Sequence, residues 1–319
     1  MKPIQGLHHI TAVAGNPHKN VEFYHHILGQ RLVKKTVNFD DPGTYHLYYG
    51  DEVGTPGTIM TYFPWQHMRQ GRRGNGETAA MAYTIRPQAM GFWQEWLKKN
   101  GISTGEIQTR FGQDVLPFTD HDGLPLELIT SNNPATLQFW ADGPIGEKEA
   151  LQGFHSVTLW LEQVEPTAWL LTEQLGYQFV GEEGNRFRYK ADGNDIGLFV
   201  DILHRPGQPQ GQFGAGSIHH IAFRTVDDEE QLEYLQKLRQ ARVQVTPVQD
   251  RQYFRSIYFR SPGGVLFEVA TDAPGFPYDE PVAELGTHLK LPSWLEQHRP
   301  AIEQRLPEIE LKPVVPATP

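Results

Sequence analysis

The chain contains one supersecondary pattern four times, and this repeat restricts its fold more than any other feature of the sequence. In the first copy a strand is followed by a helix and three more strands, which are predicted at 7–13, 21–28, 31–37, 44–49 and 57–63. Further copies begin near Met81, Gly153 and Ile218, so that four βαβββ modules cover most of the chain between residues 7 and 271. Internal repeats of this kind indicate the architecture before single elements are assigned.

The modules fall into two pairs along the chain. We predict an α+β fold in which residues 1–132 hold two modules and residues 153–272 hold two more, with a polar linker between them. The four modules are expected to pair into two half-barrels, each a curled sheet. Residues 273–319 are rich in proline and are predicted to run extended over the surface, apart from a short helix near 293–304.

Composition excludes several classes of function. The formal net charge of −10 and the lack of a basic stripe argue against binding to nucleic acid, which depends on clustered Lys and Arg. The 319 residues include no cysteine, so disulfides and thiol nucleophiles are excluded. The sequence shows neither a secretory leader nor a membrane-spanning run, and no nucleotide-binding glycine motif. We therefore expect a cytoplasmic protein that does not contact a membrane.

Two positions in each module carry side chains that could bind a metal. One lies on the first strand, and the other lies on the closing strand, four residues after a glycine. In chain order the first-strand residues are His9, Met81, His155 and His220, and the closing-strand residues are Thr61, Glu127, Asp201 and Glu268. Because alternate side chains of a strand point to opposite faces, both positions can face the concave side of one curled sheet.

The spacing alone leaves the pairing of modules open. Pairing the first module with the fourth gathers His9, His220 and Glu268, which make an open site of two imidazoles and one carboxylate suited to Fe(II). We favour this pairing because only these two modules carry a doubled histidine, at His8–His9 and His219–His220.

Two other pairings remain as alternatives at this point. Modules three and four together would give a closed set of four ligands typical of an isomerase, namely His155, Asp201, His220 and Glu268. Modules two and three together would give Glu127, His155 and Asp201, a carboxylate-rich set that is poorly matched to iron.

Three segments carry a resemblance to a known superfamily. The runs LHHITAV at 7–13, IHHIAF at 218–223 and GGVLFEVAT at 263–271 resemble the vicinal oxygen chelate superfamily, which includes glyoxalases, bleomycin resistance proteins and extradiol dioxygenases. Within it the chain is similar to the ring-cleaving dioxygenases that open hydroquinones. The resemblance covers both halves of the chain.

The resemblance implies a metal site and a set of residues around it. The metal is expected to be Fe(II), with Mn(II) as the alternative, and its implied ligands are His9, His220 and Glu268. The implied catalytic residues are His8, Thr11, His219, Arg251 and Tyr258. Of these, the position of Arg251 is the least fixed by the match, because Arg255 and Arg260 lie nearby.

The implied activity is that of a non-haem Fe(II)-dependent, extradiol-type dioxygenase, whose partners are a small aromatic diphenol and O2. In such an enzyme Tyr258 and the histidines would stabilise charge or move protons, and Arg251 would hold an anionic intermediate. Two other functions suit the same fold: a glyoxalase-type metal-dependent isomerase or lyase, and a ligand-binding protein without enzymatic activity. A homodimer is an expectation from the superfamily, since no residue marks it.

Overall fold

The protein folds into two curled sheets of eight strands each. A computed structural model describes residues 2–133, 135, 137–193 and 196–317. Two residues of the predicted linker, Pro134 and Thr136, lie outside these ranges. No helix in the described ranges is long and apolar enough to cross a lipid bilayer.

The first sheet is built from both ends of the chain. Its strands are β1 (Leu7–Ala14), β2 (Arg31–Asn38), β3 (Asp41–Gly50), β4 (Ile59–Pro64), β13 (Ile218–Thr225), β14 (Gln249–Asp250), β15 (Arg255–Arg260) and β16 (Leu266–Thr271). They lie in the order β14-β15-β16-β13-β1-β4-β3-β2. Strand β1 pairs antiparallel with β13 at the centre, and each of these two pairs in parallel with the closing strand of its own module.

The second sheet repeats this arrangement with the middle of the chain. Its strands are β5 (Glu77–Ile85), β6 (Gln108–Arg110), β7 (Gln113–Thr119), β8 (Pro125–Thr130), β9 (Phe154–Leu161), β10 (Gln178–Glu183), β11 (Arg186–Lys190) and β12 (Phe199–His204). They lie in the order β10-β11-β12-β9-β5-β8-β7-β6.

Helices cover the outer faces and the tail. They are α1 (Pro17–Val21, continued as a π-helix over Glu22–Ile27), α2 (Met90–Lys99), α3 (Glu165–Trp169, continued as a π-helix over Leu170–Gln174), α4 (Asp228–Gln240), α5 (Ser293–Glu296) and α6 (Arg299–Arg305). The Asn16 side chain caps α1 by accepting a hydrogen bond from the Lys19 amide, and the Asp227 side chain caps α4 by accepting one from the Glu230 amide.

The sheet order confirms the predicted fold class and the favoured pairing of modules. Modules one and four share one sheet, and modules two and three share the other. The four-ligand site that required modules three and four is therefore wrong, since Asp201 and Glu268 lie in different sheets. Each sheet takes strands from both halves of the chain. The division into units at 1–132 and 153–272 therefore describes how the modules follow one another in sequence, and it stays a prediction.

The tail is anchored more firmly than the prediction of an extended surface segment implied. Lys34 on β2 is fully buried, and its Nζ lies 2.6 Å from Asp279 Oδ1 and in contact with Glu280. A buried ammonium needs such partners, because removing a charge from water is costly. The two carboxylates therefore fix the segment after β16 against the first sheet.

Each doubled histidine coincides with a β-bulge between the two central strands. Along β1 the pairing passes from Leu7–Phe223 to His9–Ala222, which makes His8 an extra residue. Along β13 the pairing passes from Thr11–His220 to Ala12–Ile218, which makes His219 an extra residue. A bulge re-aims the side chains around it. The ring of the first histidine of each pair lies within hydrogen-bond distance of the ring of the second.

Candidate metal centre

Three side chains meet at the junction of β1, β13 and β16. The distance from His9 Nε2 to Glu268 Oε2 is 3.2 Å, from His220 Nε2 to the same oxygen 2.8 Å, and between the two imidazole nitrogens 3.4 Å. All three residues are buried. Within the described residues, this is the one group of three or more histidine, aspartate or glutamate side chains close enough to share an ion.

Strand register brings these side chains together. His220 lies opposite Thr11 in the antiparallel pair, two residues from His9 on the same face of β1. Glu268 lies beside Ala222 in the parallel pair, two residues from His220. The three candidate ligands thus occupy neighbouring positions on one concave face, although they come from opposite ends of the chain.

The donor set fits a divalent metal ion. Metal–ligand bonds of about 2.1 Å at right angles place adjacent donor atoms about 3 Å apart, which is the spacing found here. Glu268 Oε2 is buried, and although the two imidazole nitrogens lie close to it, it makes no hydrogen bond of good geometry with any described residue. A buried carboxylate oxygen without good hydrogen bonds is costly, and a cation between the three atoms would remove that cost.

The electrostatics of the site agree with this fit. Burial disfavours the charged form of Glu268, but His9 and His220 outweigh it and hold the pKa of this carboxyl well below its usual 4.5. Burial also lowers the pKa of His220 from 6.5. An ionised glutamate and a neutral imidazole are the protonation states that ligate metals.

Each of the two candidate ligand histidines lies within hydrogen-bond distance of its sequence neighbour. His8 Nδ1 lies 2.9 Å from His9 Nδ1, and His219 Nδ1 lies 2.7 Å from His220 Nδ1. If the Nε2 atoms bind metal, the Nδ1 atoms of His9 and His220 must carry protons and donate them to these neighbours. Burial lowers the pKa of His8 well below 6.5 and that of His219 to about 3, so both can accept as neutral imidazoles.

Ser256 on β15 supports the carboxylate of Glu268, although it was not among the predicted site residues. Its hydroxyl donates a hydrogen bond to Glu268 Oε1, the oxygen that faces away from the histidines. This bond fixes the carboxylate plane and leaves Oε2 for the metal. Ser256 is also fully buried.

A cavity of about 460 Å³ opens onto the imidazoles and is large enough for a small aromatic ligand. Its aromatic walls are Phe39, Tyr48, Phe63, Trp65, Phe254 and Tyr258. The other lining residues are the histidines, Leu266 and a set of polar side chains: His9, His46, His219, His220, Leu266, Thr11, Asn38, Asp40, Thr246, Gln249 and Arg251.

Arg251 and Tyr258 lie together on this wall. Arg251 Nε donates to the Tyr258 hydroxyl at 3.1 Å, and Arg251 Nη1 lies 3.4 Å from Asp40 Oδ2 at the solvent end. Tyr258 is opposite Glu268 in the β15–β16 pair, and its ring lies edge-on to His220. Burial, followed by the charge of Glu268, raises the pKa of Tyr258, so its phenol stays protonated at neutral pH.

A second hydrogen-bonded group on the wall contains His46, which was not among the predicted site residues. Its Nε2 lies 2.8 Å from Thr61 Oγ1, and its Nδ1 lies 2.8 Å from the Tyr48 hydroxyl. Thr61 in turn lies 2.9 Å from the Thr11 hydroxyl. Thr61 is the closing-strand counterpart of Glu268, so the first module presents a neutral hydroxyl where the fourth presents a carboxylate.

In the second sheet the equivalent positions hold no histidine. The β5–β9 register aligns Ala80 with His9 and Ser156 with His220, one residue away from the predicted Met81 and His155. The predicted equivalence of His155 with His220 was wrong, because His155 is the bulged residue of β9 and corresponds to His219. Its ring contacts Ser156 Oγ at 3.0 Å and Gln113 Oε1 at 3.2 Å.

Arginines neutralise the two closing-strand carboxylates of this sheet, Asp201 and Glu127. Arg188 binds Asp201 through two hydrogen bonds of 2.8 Å, and Arg186 adds a third at 3.1 Å. Arg110 binds Glu127 through bonds of 2.8 and 3.0 Å. Because each carboxylate already has a cationic partner, neither is available for a metal ion.

The fold and the open His–His–Glu site define a class, and sequence comparison agrees. The profile of the Glyoxalase/Bleomycin resistance protein/Dioxygenase superfamily matches residues 6–128 and 153–269. The chain belongs to this superfamily.

Relatives that align along the whole chain are more specific. The chain is 45% identical over 311 residues to the Bacillus subtilis protein named "Putative ring-cleaving dioxygenase MhqO", with 98% of each chain covered. It is 37% identical over 305 residues to the chlorohydroquinone/hydroquinone 1,2-dioxygenase of Sphingobium indicum, which covers 92% of this chain and 93% of the relative.

Solved structures show the same architecture. A crystal structure named "putative dioxygenase" from Bacillus subtilis superposes with a TM-score of 0.93 at 44% identity, covering 98% of this chain and all of the other. Glyoxalase I from Zea mays superposes with a TM-score of 0.63 at 14% identity, over 89% of this chain and 97% of that one. The second likeness shows the fold alone.

Proposed function

We propose that this protein is a ring-cleaving dioxygenase that inserts both atoms of O2 into a hydroquinone or a related diphenol, and that Fe(II) is its metal. The observation that carries the proposal is the open triad of His9, His220 and Glu268 at the base of an aromatic-walled cavity. Two histidines and one carboxylate leave coordination positions for a substrate and O2, as in the non-haem Fe(II) oxygenases. The names of the full-length relatives support the substrate class.

The ligand set also supports the choice of metal. A bound ferrous ion would supply a positive centre where a phenol ionises and O2 is activated. Imidazole and carboxylate donors suit Fe(II), and because they also accept Mn(II), both ions are included in the test of the proposal.

The chain's own residues account for positioning. Phe63, Trp65 and Phe254 provide faces and edges against which a planar ring packs. Arg251 donates to the Tyr258 oxygen, so the Tyr258 hydroxyl keeps its own proton. Tyr258 can therefore donate to an oxygen atom that gains negative charge during the reaction.

The proposed reaction is the cleavage of the bond between a hydroxylated ring carbon and a neighbouring carbon. The hydroxylated carbon becomes a carboxylic acid and its neighbour a carbonyl, each gaining one oxygen atom from O2, and no external reductant is needed. Arg251 carries the positive charge that would hold the new carboxylate on this wall.

The test is anaerobic loading of the purified protein with Fe(II), Mn(II) or Zn(II), followed by exposure to ¹⁸O2 with hydroquinone, chlorohydroquinone or catechol. We expect O2 uptake equal to substrate consumed and two ¹⁸O atoms in a ring-opened product. Zn(II) should support no turnover. Oxidation to a quinone without ring opening, or no O2 uptake with any diphenol, would overturn the proposal.

A glyoxalase-type activity would be distinguished by the same measurement of O2 uptake after metal loading. An isomerase would convert a hemithioacetal of methylglyoxal without consuming O2, with Zn(II) as well as with Fe(II). The expected cytoplasmic location and homodimer belong to the proposal as predictions, to be checked by fractionation and by light scattering.

A further inference from the structure

The hydrogen-bonded group at His46 forms a continuous chain of four side chains that ends at the cavity beside His9 and His220. It runs from the Tyr48 hydroxyl to His46, then to Thr61 and finally to Thr11, over distances of 2.8, 2.8 and 2.9 Å. Three of the four, Tyr48, Thr61 and Thr11, are almost fully buried. His46 lines the cavity together with Tyr48 and Thr11.

The direction of the bonds in this chain follows from its chemistry. A phenol is the better proton donor and a neutral imidazole nitrogen the better acceptor, so Tyr48 donates to His46 Nδ1. Burial lowers the pKa of His46 well below 6.5 and raises that of Tyr48 well above 10, which keeps both groups neutral. The single ring proton of His46 is then on Nε2, which faces Thr61.

The consequence appears at the far end of the chain. Thr61 Oγ1 accepts from His46 and so donates its own proton to Thr11 Oγ1. Thr11 Oγ1, having accepted this bond, keeps its hydroxyl proton for another acceptor. No described protein atom other than Thr61 Oγ1 makes a hydrogen bond with this hydroxyl. The proton is therefore available to an oxygen atom in the cavity.

Comparison of the two halves of the sheet supports a functional role. Tyr48 lies opposite Thr61 in the β3–β4 pair, as Tyr258 lies opposite Glu268 in the β15–β16 pair. His46 precedes Tyr48 by two residues, as Ser256 precedes Tyr258. In the fourth module the Ser256 hydroxyl orients a metal ligand, and His46 makes the equivalent contact with Thr61 in the first module.

We propose that Tyr48 and His46 are positioning residues that orient the Thr11 hydroxyl as a hydrogen-bond donor to a reactant oxygen held beside His9 and His220. The part of the proposal that concerns a reactant rests on the proposed function. The part that concerns the state of His46 does not, so the two can be tested separately.

The state of His46 is tested by ¹⁵N NMR of the full-length protein labelled at its histidine rings and loaded with Zn(II), which is diamagnetic. His46→Gln assigns the signal by difference. We expect a neutral ring protonated at Nε2 in the wild-type protein, and a mixture of the two neutral forms in Tyr48→Phe, because the donor to Nδ1 is lost. A charged ring, or a proton on Nδ1 in the wild-type protein, would overturn the proposal.

The effect on turnover is tested with Tyr48→Phe and His46→Phe loaded with Fe(II). Each should lower kcat at least tenfold and leave the metal affinity and the hydroquinone KM within twofold, because neither side chain is a ligand. His46→Gln retains an amide that can reach Thr61 and should recover part of the rate. Thr11→Val should lower kcat as much as His46→Phe, and the double variant should lose no more than either.

The matched control is Tyr49→Phe. Tyr49 neighbours Tyr48 on β3 but points to the other face, where its hydroxyl donates to Asn20 Oδ1 at 2.8 Å, so kcat should not change. Full activity of folded His46→Phe, or additive losses in the double variant, would contradict the proposal. Wild-type protein that lacks dioxygenase activity but shows the expected His46 signal would refute the proposed function and still support the orientation of Thr11.

Discussion

Tyr48 and Tyr258 occupy equivalent positions in the two halves of one sheet, each opposite the closing-strand residue of its module. Tyr258 lies opposite the candidate ligand Glu268, whereas Tyr48 lies opposite the neutral Thr61. The sheet is therefore symmetric in backbone and asymmetric in charge. This asymmetry leaves a candidate site with three ligands in place of four, and three ligands leave room for reactants.

Replacement of Glu268 should remove the metal without unfolding the sheet. Glu268→Gln keeps the side-chain volume but deletes the anionic donor, so we expect metal affinity to fall by more than about 100-fold, beyond what changes around a metal site usually cost. Chelator competition and elemental analysis measure this loss. The matched control is Glu127→Gln, the closing-strand equivalent in the second sheet, which should bind metal normally because Arg110 already neutralises that position.

Loss of the Ser256 hydroxyl should weaken metal binding by a smaller amount. Ser256→Ala frees Glu268 Oε1 and lets the carboxylate rotate, and we expect affinity to fall by about 10- to 100-fold. Ser156→Ala, a buried serine of β9 whose hydroxyl contacts His155, serves as the control and should leave affinity unchanged. Equal affinities of Ser256→Ala and the wild-type protein would show that this hydrogen bond does not orient the ligand.

Removal of the Tyr258 hydroxyl should affect turnover and spare the metal. Tyr258→Phe keeps the ring edge-on to His220, so the metal content should stay at the wild-type value. Deletion of one positioned proton donor typically costs about 100-fold or more in rate. Steady-state kinetics with hydroquinone measures the effect. Tyr234→Phe is the control and should retain full activity, because the Tyr234 hydroxyl donates to the Lys2 carbonyl and does not line the cavity.

The metal-free protein should lose stability in acid because its buried histidines stay neutral in the folded state. Burial lowers the pKa of His155 to about 3, whereas the unfolded chain takes up a proton near 6.5. Below pH 6.5 the unfolded state therefore binds more protons, and the free energy of unfolding falls by about 1.4 kcal/mol per pH unit for each such histidine.

The histidine contribution can be isolated with one variant. His155 lies in the second sheet, away from the metal ligands, and His155→Gln should reduce the slope of the unfolding free energy against pH between 6 and 4 by one proton. Urea titrations at several pH values measure this slope. An unchanged slope would show that His155 is already protonated in the folded protein.

Local patterns in the sequence were sufficient for the modules and for the three candidate ligands. The doublets His8–His9 and His219–His220 and the glycine-preceded Glu268 each stand out within a few residues. The predicted first-strand positions Met81 and His155 were each one residue away from the true equivalents of His9 and His220. The position of a β-bulge depends on pairing between strands that lie far apart in sequence, so it could not be read from local patterns. Register of this kind is a tertiary property.

The supporting residues were missed for a related reason. His46 and Ser256 lie on the second strand after the helix in their modules, whereas the repeat of potential metal-binding side chains was followed only on the first and closing strands. A signal was available, because each residue precedes a tyrosine of the same strand by two positions. When modules one and four are aligned on this tyrosine, His46 falls at the position of Ser256, which indicates a role in the site.

The most direct test of the account is a crystal structure of the protein after anaerobic loading with Fe(II), with anomalous diffraction measured at the iron edge. We predict one ion per chain, bound by His9 Nε2, His220 Nε2 and Glu268 Oε2, with at least two further positions held by solvent. An ion bound at Asp201 or Glu127 in the second sheet, or full loading with no density between these three side chains, would contradict it.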